Sequence, residues 1–195
     1  MTRPYNMTRR NRLAAATADR ILDATESRLK SGALADVTLS AVSKDAGVSV
    51  QTVLRHFGSR TGLMEETSRR VGERIDRHRS RASPDNPDAA LDILLEHYEE
   101  EGALVLNLLA HETAEPVALR AVEEGRRFHR AWVDRVFGPT EDPEILDALV
   151  AATDISIWKL LRVDLKRSPS QVRRTMEALV AGVRSETESE PGVSQ

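Results

Sequence analysis

Gln51, Thr52, Arg55 and His56 lie in one short segment and have side chains that can bind the edges and the backbone of a nucleic-acid duplex. A glutamine amide can form two hydrogen bonds with adenine, and an arginine guanidinium can do the same with guanine or bind a phosphate. Threonine and histidine can donate hydrogen bonds to phosphate oxygens. The segment therefore carries donors for both kinds of contact, provided that one surface presents them together.

The residues around this segment have the pattern of two helices joined by a sharp turn. Gly47 supplies the conformational freedom that ends one helix, and Ser49 can cap the next by accepting a backbone N–H. Wound as a helix, residues 50–57 place their apolar side chains on one arc. This pattern is typical of a helix-turn-helix, whose second helix enters the major groove. The alternative is an αα-hairpin with a solvated polar face, and the turn alone does not separate the two.

Charge is divided unevenly along the chain. The net charge of the 195 residues is −3, but residues 1–81 hold 16 Lys and Arg against 9 Asp and Glu, whereas the remainder holds 12 against 22. A basic first part is suited to a polyanionic partner. The absence of cysteine excludes disulfides and cysteine nucleophiles. No segment has the apolar length of a membrane span, so we expect a cytoplasmic protein without membrane contact.

Helical spacing of apolar residues recurs in nearly every segment, and no hairpin signature is present. The sequence predicts an all-α protein of about nine helices, with a boundary at the proline-rich residues 82–89. Residues 88–102 and 103–112 read as separate helices, and residues 142–168 read as a single one. His97 and Tyr98 adjoin acidic residues and are expected on a solvated face.

The stretch from Arg20 to Glu66 resembles the N-terminal domain of the tetracycline-repressor (TetR) family of bacterial regulators. The matching residues are Ile21-Leu22-Asp23-Ala24, Thr38, Ala46-Gly47-Val48-Ser49, Thr52, His56-Phe57 and Leu63. The resemblance implies a homodimer in which three N-terminal helices bind a double-stranded DNA operator. A helical C-terminal domain then binds an unknown small-molecule effector and dimerises.

The resemblance also implies the roles of individual residues. The family's phosphate contacts fall on Thr38, Thr52, His56 and Arg60, and its base contacts on Ser40, Val50, Gln51 and Leu54. Ser49 and Arg55 complete the set of candidate DNA-binding residues. Two positions depart from the family pattern, because Leu54 replaces the usual tyrosine and Arg60 replaces the usual lysine. Gln51 stands where a small residue is common, so it can contribute operator preference.

The second part of the chain contains candidate ligand-binding residues on its middle helices. A pocket in a helical bundle needs an apolar wall and a few polar groups, which Asn107 and His111 can supply because they share one helix face. The alternative is that the apolar residues are core and the polar ones meet backbone partners. The complete candidate set is Leu104, Asn107, Leu108, His111, Phe128, Trp132 and Trp158.

Two apolar stripes near the end of the chain are candidates for a dimer interface. Paired with their symmetry mates, such stripes form a four-helix bundle, and a dimer reads enough base pairs for useful specificity. The alternative is that they pack only within one chain. The candidate residues are Ile155, Trp158, Leu161, Leu165, Val172, Met176, Leu179 and Val183.

These patterns divide the chain into four segments. We expect a flexible basic arm at residues 1–12, a helix-turn-helix domain at 13–60, an effector-binding and dimerisation domain at 61–184, and a disordered tail at 185–195. Arg3, Arg9, Arg10 and Arg12 of the arm could follow the minor groove.

The expected function is a sequence-specific regulator of transcription, released as a repressor from a palindromic operator by its effector. The alternative is a helical small-molecule-binding protein that has lost operator recognition. Sequence signatures of phosphate loops, catalytic triads and zinc helices do not stand out, so no enzyme, cofactor or metal is expected.

Overall fold

The computed structural model describes residues 5–84, 86–137 and 142–189. Within these ranges about 85% of residues are helical and no strand occurs, which confirms the all-α class. The described ranges contain eight α-helices of seven or more residues and a ninth of five residues that runs directly into a π turn, so the expected number is close. The helices are α1 (Tyr5–Ser31), α2 (Leu39–Asp45), α3 (Val50–Phe57), α4 (Arg60–Arg79), α5 (Pro87–His111), α6 (Pro116–Phe137), α7 (Pro143–Thr153), α8 (Ile155–Lys159) and α9 (Pro169–Ser189).

Local capping residues explain where several helices begin. Thr38 accepts a hydrogen bond from Ala41 N at 3.1 Å at the start of α2. Asp142 precedes Pro143 and accepts from Glu144 N at 2.8 Å. Asp154 accepts from Ser156 N at 2.8 Å and starts α8, so the single helix expected at residues 142–168 is divided. Side-chain oxygens at these positions satisfy backbone donors that would otherwise lack partners.

Gly102 lies inside α5, so the two helices expected at residues 88–102 and 103–112 form one. A Cβ atom at this position would approach the ring of Trp158 to 2.7 Å. The glycine therefore serves close packing against an indole and does not end the helix.

The chain ends differ from the expected flexible segments. Residues 5–12 belong to α1, and residues 185–189 belong to α9. Residues 1–4 of the expected arm, Arg3 included, and residues 190–195 of the expected tail lie outside the described residues.

The helices form two compact units that interleave along the chain. Unit 1 comprises Met1–Gly72 and Ala103–Ala121, and unit 2 comprises Glu73–Gly102 and Val122–Gln195. This division differs from the contiguous domains expected at 13–60 and 61–184. Its physical reason is helix length: α4, α5 and α6 have 20, 25 and 22 residues, and each contributes to both units.

Each unit has its own apolar core. In unit 1 the fully buried side chains include Ile21, Leu29, Leu34, Val37, Val42, Val53, Leu63 and Met64. In unit 2 they include Ala90, Leu94, Val133 and Met176. None of the helices in the described ranges combines the length and apolar character needed to cross a bilayer.

Candidate nucleic-acid interface

The turn between α2 and α3 has the geometry expected of a helix-turn-helix corner. Gly47 has a φ of 64°, in the left-handed region that residues with a side chain avoid. Ser49 accepts a hydrogen bond from Thr52 N at 3.1 Å and caps α3, which confirms the predicted cap. Val48 N donates to the carbonyl of Ser43 at 2.9 Å and closes the end of α2.

One side of α3 packs into unit 1 and the other is open. Val53 is fully buried, and the helix contacts α1 and α2. Gln51 and Arg55 are exposed, and Val50 is exposed on the same short helix. A helix of eight residues is unstable alone, so the buried side fixes it on its supports while the open side remains available to a partner.

The remaining candidate contacts of α2 and α3 lie at the surface or partly beneath it. Thr38, Ser40 and Ser49 are exposed, whereas Thr52, Leu54 and His56 are half-buried. The Thr52 hydroxyl lies 3.0 Å from that of Ser49. Leu54 therefore combines a packed part with an open part, and its role at the surface stays a prediction.

Arg60 differs from the phosphate contact expected for it. Its Nε donates to the carbonyl of Val37 at 2.8 Å, and its Nη2 donates to the carbonyl of Leu34 at 2.9 Å. Its Nη1 lies 3.2 Å from Oε2 of Glu115. The guanidinium is thus engaged on three sides within unit 1, where it holds the segment before α2 against the start of α4.

Asn107 and His111, the expected polar residues of a pocket, both form hydrogen bonds with backbone carbonyls. Asn107 Nδ2 donates to the carbonyls of Leu29 and Gly32, each at 2.8 Å, and so satisfies the C-terminal end of α1. His111 Nδ1 donates to the carbonyl of Asn107 at 2.8 Å. Both side chains meet backbone partners, which is the alternative that the sequence left open.

The other candidate ligand residues are divided between the two units and packed. Leu104 and Leu108 are buried in unit 1, and Trp132 and Trp158 are buried in unit 2. The Trp132 indole donates to the carbonyl of Arg79 at 3.0 Å. Phe128 lies with its ring 5.6 Å from the guanidinium carbon of Arg79. Four of the seven residues thus lie in unit 1 and three in unit 2, and their role in binding a ligand stays a prediction.

Burial divides the expected dimer residues into two groups. Ile155, Trp158, Val172 and Met176 are buried within unit 2, so they belong to the core of one chain. Leu161 and Val183 are half-buried, whereas Leu165 and Leu179 are exposed. Leu160 and Val163, two large apolar residues outside the candidate dimer set, are also exposed. We call the four exposed residues Leu160, Val163, Leu165 and Leu179 together the C-terminal apolar surface.

Unit 2 contains a buried polar cluster that the sequence did not predict. Arg79 is buried, with its Nε 3.2 Å from Nδ1 of His97 and its Nη1 3.0 Å from Nδ1 of His129. Because a guanidinium has donors only, both Nδ1 atoms accept, and both imidazoles are held as the neutral Nε2–H tautomer. His129 Nε2 then donates to Thr153 Oγ1 at 3.2 Å, while His97 Nε2 is buried without a partner in the described residues.

The surroundings of this cluster change the pKa values of its members. Burial, followed by the charge of Arg79, lowers the pKa of His97 to about 2 and that of His129 to about 4. Burial also lowers the pKa of Arg79 and raises that of Tyr98 to about 12. The rings of Tyr98, Phe128 and Trp132 lie 4.9–5.6 Å from the guanidinium carbon. Sequence reasoning missed the cluster because Arg79 lies in a basic run and His97 beside acidic residues, both of which are typical of solvated faces.

Comparison with known proteins finds similarity in the N-terminal region that contains the helix-turn-helix. A model of the bacterial TetR family of regulatory proteins matches residues 21–67. The HTH-type transcriptional regulator AlkX of Mycobacterium tuberculosis is 34% identical over 82 residues. That match covers 42% of this chain and 35% of the relative, so the chain spans about a third of that protein's length.

Solved structures show a similar fold along most of the chain. A transcriptional regulator from Rhodococcus sp. RHA1 has a TM-score of 0.74 at 15% identity, covering 89% of this chain and 99% of that one. The multidrug binding protein EbrR, crystallised with imidazole, has a TM-score of 0.58 at 22% identity, covering 83% and 88%. The helix-turn-helix geometry, the matched residues and the shared fold agree, and residues 21–67 match the TetR family of bacterial regulatory proteins.

Proposed function

We propose that this chain is a dimeric, sequence-specific DNA-binding regulator of transcription, and that it acts as a repressor released from a palindromic operator by a small molecule. The observation that carries the proposal is α3 itself. Val53 fixes the helix on unit 1, and the capped glycine corner leaves Gln51 and Arg55 exposed on its open side. These are side chains that pair with adenine and guanine edges in the major groove.

Within this proposal, the exposed residues divide between reading bases and binding the backbone. Gln51 and Val50 meet base edges, and Arg55 binds a base or a phosphate next to the helix. Thr38 and His56 donate to phosphates and fix the register. Arg60 acts indirectly, by holding the segment before α2 in place.

Two copies of α3 are needed to read an operator. A dimer places its recognition helices in successive major grooves, with half-sites about 34–36 Å apart. The C-terminal apolar surface is our proposed interface, because a symmetric dimer buries the same surface on both subunits. Leu160 and Leu165 are 46% and 48% exposed, so their side chains provide apolar surface area that a second subunit can bury.

Release by an effector follows from population shift. The effector would bind more tightly to a conformer in which the two recognition helices no longer match the operator. Its difference in binding free energy between the two conformers sets how far it lowers the affinity for DNA. EbrR is a multidrug binding protein, and its similarity in fold supports a small-molecule effector for this chain as well.

The test is selection of bound sequences from random duplex DNA with the purified chain, followed by affinity measurements on the selected site. We expect a palindromic consensus that is also found upstream of the chain's own or a neighbouring gene, and salt-sensitive binding. Binding without sequence preference would contradict the proposal and favour the alternative, a small-molecule-binding protein that no longer recognises an operator.

A further inference from the structure

A groove of about 350 Å³ lies between α1 and α3 in unit 1. Its α1 side is one helical stripe, because its residues are spaced by three, four and seven positions. Its α3 side is the end of the proposed recognition helix. The lining residues are Arg10, Leu13, Ala14, Thr17, Arg55 and His56.

The groove combines a cationic rim with an apolar floor. Arg10 and Arg55 are exposed, and among the described residues neither guanidinium forms an ion pair or a hydrogen bond. The lining contains no carboxylate. Leu13 is 61% exposed, which is unusual for a leucine in a stripe beside another helix, and Thr17 satisfies its hydroxyl by donating to the carbonyl of Leu13 at 2.9 Å.

The rim and floor match the two chemical parts of a DNA backbone. Two unpaired guanidinium groups complement one or two phosphates, and an exposed leucine complements the apolar face of a deoxyribose. A helix about 10–12 Å wide fills a major groove about 12 Å wide, so the phosphates of both strands flank a recognition helix on its two sides. The groove adjoins α3 at Arg55 and His56.

We propose that Arg10 and Arg55 form a phosphate clamp, in which one backbone segment of the operator lies in this groove with its sugar on Leu13. The inference rests on the proposed function, because the clamp operates only if α3 enters the major groove. It assigns the N-terminal helix, rather than an extended arm in the minor groove, to DNA binding. It also gives Arg55 a phosphate as its partner.

The test measures affinity against salt concentration for a selected operator and for a scrambled duplex. Arg10→Gln and Arg55→Gln each remove one phosphate contact per subunit, and hence two per dimer, so each should reduce the slope of log K against log salt by about 2 and weaken both duplexes equally. Arg12→Gln is the matched control, since Arg12 carries the same charge on the same helix but does not line the groove. Leu13→Ser should weaken binding and leave the slope unchanged.

A second measurement locates the contact on the DNA. Each operator phosphate is replaced in turn by an uncharged methylphosphonate. At one position per half-site, this replacement should weaken DNA binding by the wild-type chain but should not weaken DNA binding by Arg10→Gln any further. Equal slopes for Arg10→Gln and Arg12→Gln, with no such position, would overturn the clamp while leaving the regulator intact. Failure of the wild-type chain to bind any duplex would overturn both.

Discussion

Burial and hydrogen bonding separate the residues on and next to α3 into two groups. Gln51 and Arg55 are exposed and available to DNA, whereas Arg60 is half-buried and bonded to its own chain. A basic residue beside a recognition helix is therefore not by itself a phosphate contact. Whether such a residue can bind a phosphate depends on whether its N–H donors are already engaged. The donors of Arg60 are directed at the carbonyls of Leu34 and Val37 and at Glu115.

Arg60→Gln should lower the free energy of unfolding by about 1–3 kcal/mol, because two backbone carbonyls lose a charged donor. Urea unfolding measures the loss, and Arg60→Lys should fall between the wild type and the glutamine variant since lysine offers no fork. The slope of DNA affinity against salt should stay unchanged. A normal stability with a reduced slope would instead restore the phosphate role.

Contacts between neighbours in the sequence were predictable, and contacts between distant residues were not. The Ser49 cap and the Gly47 turn depend on residues within three positions, and both were predictable from residue type and spacing. Arg60 reaches Leu34 across 26 positions and Asn107 reaches Leu29 across 78. Residue type and spacing contain no record of such partners, so the sequence assigned Arg60 to DNA and Asn107 to a ligand.

At the scale of elements, the left-handed glycine of the corner determines how α2 meets α3. A Cβ at Gly47 would meet no atom within 4 Å, so the cost of a side chain there comes from backbone conformation alone. Gly72, inside α4, also has open space around it but lies in ordinary helical conformation. A side chain would therefore be free of crowding at both glycines, and only at Gly47 would it strain the backbone.

Gly47→Ala should destabilise the chain by about 1–2 kcal/mol because alanine is strained in the left-handed region. Gly72→Ala should stabilise it by roughly 0.5–1 kcal/mol because alanine is the better helix former. Thermal unfolding of both variants checks the signs. Equal effects of the two substitutions on the unfolding temperature would show that the turn between α2 and α3 does not depend on the left-handed conformation of Gly47.

The buried cluster of Arg79, His97 and His129 links α4, α5 and α6 within unit 2 and should make its stability depend on pH. The folded-state pKa values of both histidines lie below the ordinary 6.5, so the unfolded chain binds more protons between pH 6.5 and 4. Stability from these groups is complete above about pH 6.5 and is lost as the pH falls. His78 faces His97 and adds to the depression, whereas Asp154 opposes it at His129.

Lowering the pH from 7.5 to 5 should cost about 2 kcal/mol for each of the two histidines. Urea unfolding at both pH values measures the loss, and His129→Gln should remove about half of it while keeping an acceptor for Arg79. An undiminished loss in His129→Gln would mean that other groups cause the pH dependence.

At the scale of the whole molecule, regular apolar spacing did not distinguish buried core residues from exposed ones. Val172, Met176 and Leu179 belong to one stripe in the sequence, yet Met176 is fully buried in unit 2 and Leu179 is 42% exposed. The all-helical class and the helix-turn-helix followed from the sequence because they depend on local pattern. The two interleaved units did not, because they depend on where the long helices pack.

Leu179→Glu should convert the proposed dimer to a monomer, because it places a charge within an apolar interface. Leu119→Glu is the control, since Leu119 is 41% exposed but lies on α6 in unit 1. Analytical ultracentrifugation should show a lower mass for the first variant alone. Equal masses for wild type and Leu179→Glu would place the interface elsewhere.

The central claim is that the exposed face of α3 reads DNA sequence, and base-specific affinity of Gln51 variants tests it most directly. The measurement compares the wild type and Gln51→Ala on a selected operator and on duplexes substituted at each position of one half-site. We expect Gln51→Ala to lose about 1–3 kcal/mol of discrimination at one position, with the salt slope unchanged. An unaltered preference at every position would contradict the account, because Gln51 would then lie on a face of α3 that no base contacts.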